Sequence, residues 1–315
     1  MLDKLDSQQI RKTSAILGIP ADFIRKDYFV TKVIHALIQI QDDYFELIFQ
    51  GGTSLSKGYQ VIHRMSEDVD FRVIQKANTK SLGKEVRRKK LRDFRHKLIS
   101  QLKKTGFEVS NEAIRVLYEG RFMSIEAKFT DSEKISYLKP HVAVDCFLGE
   151  FSLTPTTKNI TSLIKLTLEN ECDHPTFPVA CVALDETAAE KWVALTRRIA
   201  NTKTKSRKGD KDLVRHLYDL YQLNANKLLT GEYKNIVQGI IEKDKVQFKK
   251  LNDNYIENPI RESQAALDML YNNPEWQSHW NYFLEQMVYD TVKPTYEKAY
   301  AKLQLMSQEI FEVLK

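Results

Sequence analysis

Between Tyr44 and Val73 the chain reads YFELIFQGGTSLSKGYQVIHRMSEDVDFRV, an order that few folds accommodate. YFELIFQ, Tyr44 to Gln50, is an apolar and aromatic run stopped by Gly51-Gly52, which predicts a buried strand entering a tight turn, with a short helix through Leu55 to follow. EDVDFRV, Glu67 to Val73, alternates polar and apolar residues. A strand sends successive side chains to opposite sides, so Asp68 and Asp70 share one face while Val69, Phe71 and Val73 share the other.

Helical spacing brackets this stretch. IRKDYFVTKVIHALIQI, Ile24 to Ile40, places Phe29, Val33, Leu37 and Ile40 on one stripe. KEVRRKKLRDFRHKLISQLKKTG keeps Leu91, Phe94, Leu98 and Leu102 in helical register under a basic outer face, and FMSIEAKF and HVAVDCF predict two further strands. Character changes near Leu184. LDETAAEKWVALTRRIAN has Asp185 as a candidate N-cap and Ala188, Trp192, Leu195 and Ile199 as its stripe. Thr202 to Lys211 is expected to be a basic exposed loop, DLVRHLYDLYQL to begin the next helix, and the stretch from Arg261, with Trp276, Trp280 and Phe283, to complete a helical half. The expected layout is α+β: a mixed sheet flanked by helices over residues 1–183, then a mainly helical domain over 184–315.

Phosphoryl or nucleotidyl transfer needs a cradle for polyphosphate and carboxylates that hold divalent metal against the reacting oxygens. Gly51 and Gly52 permit a turn with exposed N–H groups ahead of a helix N-terminus, and carboxylates two apart on a strand can converge on one metal or bridge two. Taken singly, a Gly-Gly is an ordinary turn and D-x-D an ordinary solvated face; the order strand, Gly-Gly, helix, D-x-D strand is more telling. A lone Asp145 on the apolar HVAVDCF strand is costly to bury without a partner or metal, which makes it a candidate third carboxylate or a hydrogen-bonded structural residue, ahead of Glu126 and Glu150. The histidines show no HxH or HExxH spacing, and neither a GxxxxGK[ST] loop nor a GxSxG elbow is present.

That order is the arrangement of a DNA polymerase β-like nucleotidyltransferase core, and the residues resemble the AbiEii/AbiGii family of nucleotidyltransferase toxins from bacterial toxin–antitoxin and abortive-infection systems. Four segments carry the likeness up to about Leu223: IRKDYFVTKVI, GGTSLSKGYQVIHRMSEDVDF, ETAAEKWVALTRR and RHLYDLYQL. The resemblance implies that Asp68 and Asp70 ligate Mg²⁺, or Mn²⁺, and that Gly51, Gly52 and Thr53 hold the triphosphate of an NTP, with Ser66 and Lys57 facing the nucleotide. It further implies that Lys191 contacts phosphate and that Asp219 supports the site, His216 standing where some members carry an acidic residue. Read without the family, Lys191 is a solvated helix lysine, and Arg215 and Asp219, four apart, are a surface ion pair. The implied reaction moves a nucleotide from an NTP to an acceptor, tRNA or other RNA, in a toxin paired with an antitoxin encoded nearby. Sequestration of NTP or RNA, and phosphotransfer, are the rival readings.

The bulk properties constrain less. A chain of 315 residues with 42% hydrophobic residues supplies a genuine core, which argues against disorder, and a net charge of +6 suits polyanionic partners. The basic stretches Arg87 to Arg95 and Lys203 to Lys211 are equally consistent with an RNA grip and with solvated surface. Cys146, Cys172 and Cys181 lack CxxC spacing, so neither a disulfide framework nor a zinc knuckle is suggested. The N-terminus lacks an apolar signal core and no apolar run approaches a membrane span, so a cytoplasmic protein without membrane partners is expected.

Overall fold

A computed structural model describes residues 5–129, 138–202, 210–248 and 253–314. They divide into two compact units, Met1–Gln60 with Met65–Val182, and Val61–Arg64 with Ala183–Lys315.

The first unit opens with α1 (Ser7–Leu17), where the Asp6 carboxylate accepts the Gln8 N–H and so satisfies a donor that the first turn leaves over. The stripe expected in Ile24 to Ile40 becomes α2 (Ala21–Ile38). β1 (Phe45–Gln50) then runs into the one-turn helix α3 (Gly51–Thr53) and a π-helical turn over Ser54–Gly58. The acidic strand is β2 (Asp68–Gln75). After the short α4 (Ala77–Lys80), the basic helix is α5 (Lys84–Lys104), followed by β3 (Ile114–Leu117), β4 (Phe122–Lys128) and β5 (His141–Gly149). β6 (Thr156–Ile160), α6 (Leu163–Thr167) and β7 (Phe177–Cys181) complete the unit.

The strands form one mixed sheet in the order β3-β4-β5-β2-β1-β7-β6. β1 lies antiparallel and β5 parallel to β2, so the acidic strand is central. One sheet face, with Val69, Phe71, Val144 and Ile125, packs against Val33 and Leu37 of α2 and Phe94 and Leu98 of α5. Because the strand period is two, covering that face commits Asp68, Asp70 and Asp145 to the other. Cys146, Cys172 and Cys181 are buried thiols, and burial pushes Cys181 up to about 11.

The second unit is helical among its described residues: α7 (Leu184–Thr202), α8 (Val214–Ala225), α9 (Glu232–Phe248), α10 (Asp253–Glu257), α11 (Pro259–Asn272), α12 (Pro274–Met287) and α13 (Tyr296–Leu314). Ala188, Trp192, Leu195 and Ile199 of α7 are wholly buried, and Trp192 Nε1 donates to Ser307 Oγ at 2.8 Å. Asp185 departs from its expected N-cap position. It lies inside α7, where its carboxylate accepts the N–H groups of Thr230, Gly231 and Tyr233 and thereby caps the start of α9, a long-range role that local pattern does not register. Residues 203–209 of the expected basic loop lie outside the described residues. No helix among the described residues is long and apolar enough to cross a membrane.

Candidate active site

Asp68 and Asp70 stand on the sheet face opposite the core. Strand pairing draws a row across that face: Gln50 is in register with Asp70, Asp70 with Asp145, and Asp145 with Ser124. The third candidate carboxylate is therefore a direct neighbour of the D-x-D pair. Glu126 lies farther along β4, with Oε2 4.0 Å from His141 Nδ1, while the Glu150 carbonyl is an acceptor for Arg72. Burial raises the Asp145 carboxyl above its ordinary value, against the Ser124 hydrogen bond and with the charge of Asp68 adding to the rise.

The glycine turn meets this row at Gly51. Its φ of 78° is left-handed, and a Cβ placed there would lie 2.3 Å from Asp70 Oδ2. Only a residue without a side chain lets the turn and the carboxylate approach so closely. Gly51→Ala is accordingly expected to cost about 1–2 kcal/mol in backbone strain and to displace Asp70. Misplacement of a reacting group by about 1 Å can cost on the order of 10²-fold in rate; paired denaturation and transfer measurements check both effects.

Thr53 and Ser66 tie the turn to the acidic strand. Thr53 Oγ1 lies 2.7 Å from Ser66 Oγ and also hydrogen-bonds the main-chain carbonyl of Asp68. Lys57, expected to face the nucleotide, instead turns inward: its ammonium pairs with Asp27 of α2, whose other oxygen accepts the Leu163 N–H at 2.7 Å. Burying that carboxylate demands a cation, and Lys57 supplies it. Lys26, wholly buried, donates to the carbonyls of Lys139 at 2.8 Å and His141 at 2.5 Å and lies 3.4 Å from Glu67. Burial lowers its pKa, against the opposing charge of Glu67.

Among the described residues, no three His, Cys, Asp or Glu side chains converge into a ready-made metal cage. The donor set still fits a hard cation. Asp68 Oδ1 and Asp145 Oδ1 are buried and accept no hydrogen bond from the described residues, although Lys139 Nζ lies 3.8 Å from Asp68 Oδ1. Mg²⁺ keeps several waters and takes one or two carboxylates together with substrate phosphates, so a full protein cage is not what it requires.

In the second unit, Lys191 and Asp219 are in contact, Lys191 Nζ lying 2.7 Å from Asp219 Oδ2. A residue given no role by sequence completes the group: Arg64 grips Asp219 bidentately, Nε to Oδ1 at 2.7 Å and Nη2 to Oδ2 at 2.8 Å. The backbone brings it there, since Arg64 bridges to Val288 and the Tyr289 N–H donates to the His63 carbonyl. Lys191 is thus no solvated helix lysine. Arg215 pairs with Asp212 at 2.7 Å, in place of the i,i+4 pair with Asp219. Burial would raise the Asp219 carboxyl, but Arg64 and then Lys191 outweigh it and hold it far below the usual carboxylate range. His216 is driven well below its ordinary value by burial and by Lys191 and Arg198, so it stays neutral beside these cations.

A family model described as nucleotidyl transferase AbiEii toxin, type IV TA system, matches residues 37–302. No curated protein matches the sequence. Among solved structures, the MenT4 nucleotidyltransferase toxin of Mycobacterium tuberculosis H37Rv aligns over 71% of this chain and 73% of its own, at 19% identity and TM-score 0.39. A candidate nucleotidyltransferase from H. pylori aligns over 90% of this chain and 95% of its own, at 12% identity and TM-score 0.44.

Proposed function

This chain belongs to the AbiEii nucleotidyltransferase toxin family of type IV toxin–antitoxin systems, and from that premise we propose that it moves the nucleotidyl group of an NTP onto the hydroxyl of an RNA acceptor, tRNA foremost. The observation that supports this most is the approach of Gly51 to Asp70, which sets the glycine turn directly against a carboxylate in register with a second one, Asp145.

In this reading Asp68 and Asp70 would hold Mg²⁺, or Mn²⁺, with Asp145 beside them. The cation, when bound, neutralises triphosphate charge and steadies the oxygens between which the transferred group passes. Gly51, Gly52 and Thr53 orient the triphosphate through main-chain N–H groups, while Ser66 and Lys57 act indirectly, by fixing the turn and the helix beneath it. The acceptor oxygen forms a bond to the α-phosphorus as the bond to the pyrophosphate oxygen breaks, the electron pair leaving with pyrophosphate. The acceptor proton passes to Asp145, the carboxylate in register with Asp70 on the strand away from the glycine turn. Asp219 holds Lys191, the residue to which the family resemblance gives phosphate, in place together with Arg64. Position and charge, with no covalent enzyme intermediate, do the catalysis.

Incubation with α- and γ-labelled NTPs and total RNA tests the proposal. Label from the α position is expected on RNA; label from the γ position would indicate phosphotransfer, and no label on any acceptor would favour sequestration. As partner, the family's type IV systems supply an antitoxin.

A further inference from the structure

The row of residues across the sheet does not stop at Ser124. Arg115 of β3 is in register with Ser124, so Gln50, Asp70, Asp145, Ser124 and Arg115 stand on five successive strands and one face. The glycine turn occupies the β1 flank of the carboxylates. On the other flank lies a polar groove of about 220 Å³, lined by Asp68, Asp145, Ser124, Arg115, Lys139 and His141 among others. Neighbouring strands stand about 4.8 Å apart, which puts Arg115 on the order of 10 Å from Asp145 along the row, roughly the reach of one nucleotide.

Its rim is built rather than incidental. Lys26 sits wholly buried beneath residues 139–141 and donates to two of their carbonyls, while Glu67 accepts the Lys139 N–H at 2.9 Å. The backbone of the rim is anchored, and the Lys139 side chain, 55% exposed, is left over the groove. The Arg115 side chain is exposed, and its charge reaches Asp145 along the row. Two cations thus face a groove that Asp68 and Asp145 line at its inner end and Glu126 along β4.

We propose that this groove receives the terminal nucleotide of a nucleic-acid acceptor, with Arg115 and Lys139 gripping the phosphate next to the attacking hydroxyl. The inference rests on the nucleotidyl-transfer reading and adds the acceptor's place to it. The glycine turn already claims the triphosphate on the opposite flank; what remains on this side is a site for a second, singly charged phosphate, which an arginine fork and a lysine ammonium match.

The test uses the full chain in three forms, wild type, the double variant Arg115→Ala/Lys139→Ala, and the charge-keeping Arg115→Lys/Lys139→Arg. Binding of a short single-stranded oligoribonucleotide with a free 3′ hydroxyl is read by fluorescence anisotropy across a salt series. Binding of an α,β-methylene NTP with Mg²⁺ is read by calorimetry. The double alanine variant is expected to bind the oligonucleotide at least about tenfold more weakly, with the slope of log K against log salt shallower by about 0.7, the value for one phosphate. NTP-analogue binding is expected to change far less than oligonucleotide binding, the one link being Lys139 at 3.8 Å from Asp68 Oδ1, and the charge-keeping variant is expected to recover most of the loss. Unchanged oligonucleotide affinity and slope, or failure of the wild type to bind the oligonucleotide, overturns the groove assignment. So does loss of NTP-analogue binding in the double alanine variant, which would make the groove part of the NTP site. Failure of the wild type to bind the NTP analogue strikes the underlying nucleotidyl-transfer reading instead.

Discussion

Asp70→Asn is expected to lower transfer of α-label by about 10²–10³-fold, the scale on which loss of one preorganised electrostatic group acts, with no loss of folded stability. Asparagine keeps the size of the side chain that Gly51 packs against, so the turn need not move. What disappears is the negative charge, and with it the means of holding a divalent cation against phosphate. Stability should hold, because the change conserves side-chain size and leaves an amide able to hydrogen-bond where the carboxylate stood. Activity and thermal unfolding measured on the same preparation check this. Retained transfer in a well-folded variant would sink the assignment of the metal site, and retained growth inhibition without transfer would point to sequestration.

Asp219→Ala is expected to destabilise the second unit by about 3–5 kcal/mol, the cost of removing one partner from a buried ion pair. Arg64 and Lys191 are 5% and 8% exposed at their side chains, and Asp219 is the carboxylate that compensates both. Without it, two buried cations face each other and the neutral His216. The chain's three tryptophans, Trp192, Trp276 and Trp280, all lie in this unit, so their fluorescence during urea unfolding reports on it selectively. The effect has a definite pH dependence. Asp219 has a folded pKa depressed below its unfolded value of about 3.9, so its contribution is complete above that value and is lost as pH falls towards the folded one. The gap between wild type and variant should therefore be constant near neutrality and shrink in acid below about pH 4. A gap that grows in acid, or a variant as stable as wild type at neutral pH, contradicts the triad.

Much of the first unit could be read directly because its periodicities are strong. The three-to-four spacing of Phe29, Val33 and Leu37 and of Leu91, Phe94, Leu98 and Leu102 marks helices whose apolar sides meet one core. β3, β6 and β7 were harder to see. TTKNI, the whole of β6, has little apolar content and is a strand because β7 pairs with it. At the site, the D-x-D pair and the Gly-Gly turn were legible, whereas the inward turn of Lys57 towards Asp27, thirty positions earlier, carries no local signature. Arg64 had one faint signal: a charged residue within QVIHRM, whose apolar neighbours Ile62 and Met65 are buried.

By itself, then, the amino-acid order determined which residues share a face and where the chain must turn. Alternation along a strand and spacing along a helix are geometric consequences of the backbone, independent of what lies far away. Partner choice was left to the tertiary structure: Asp145 beside Asp70, Asp219 between Arg64 and Lys191, Asp185 at the start of another helix. A buried charge must find its counterpart wherever packing delivers one. That delivery depends on how strands are ordered in the sheet and how helices pack, relations between residues tens to more than a hundred positions apart that no local pattern encodes.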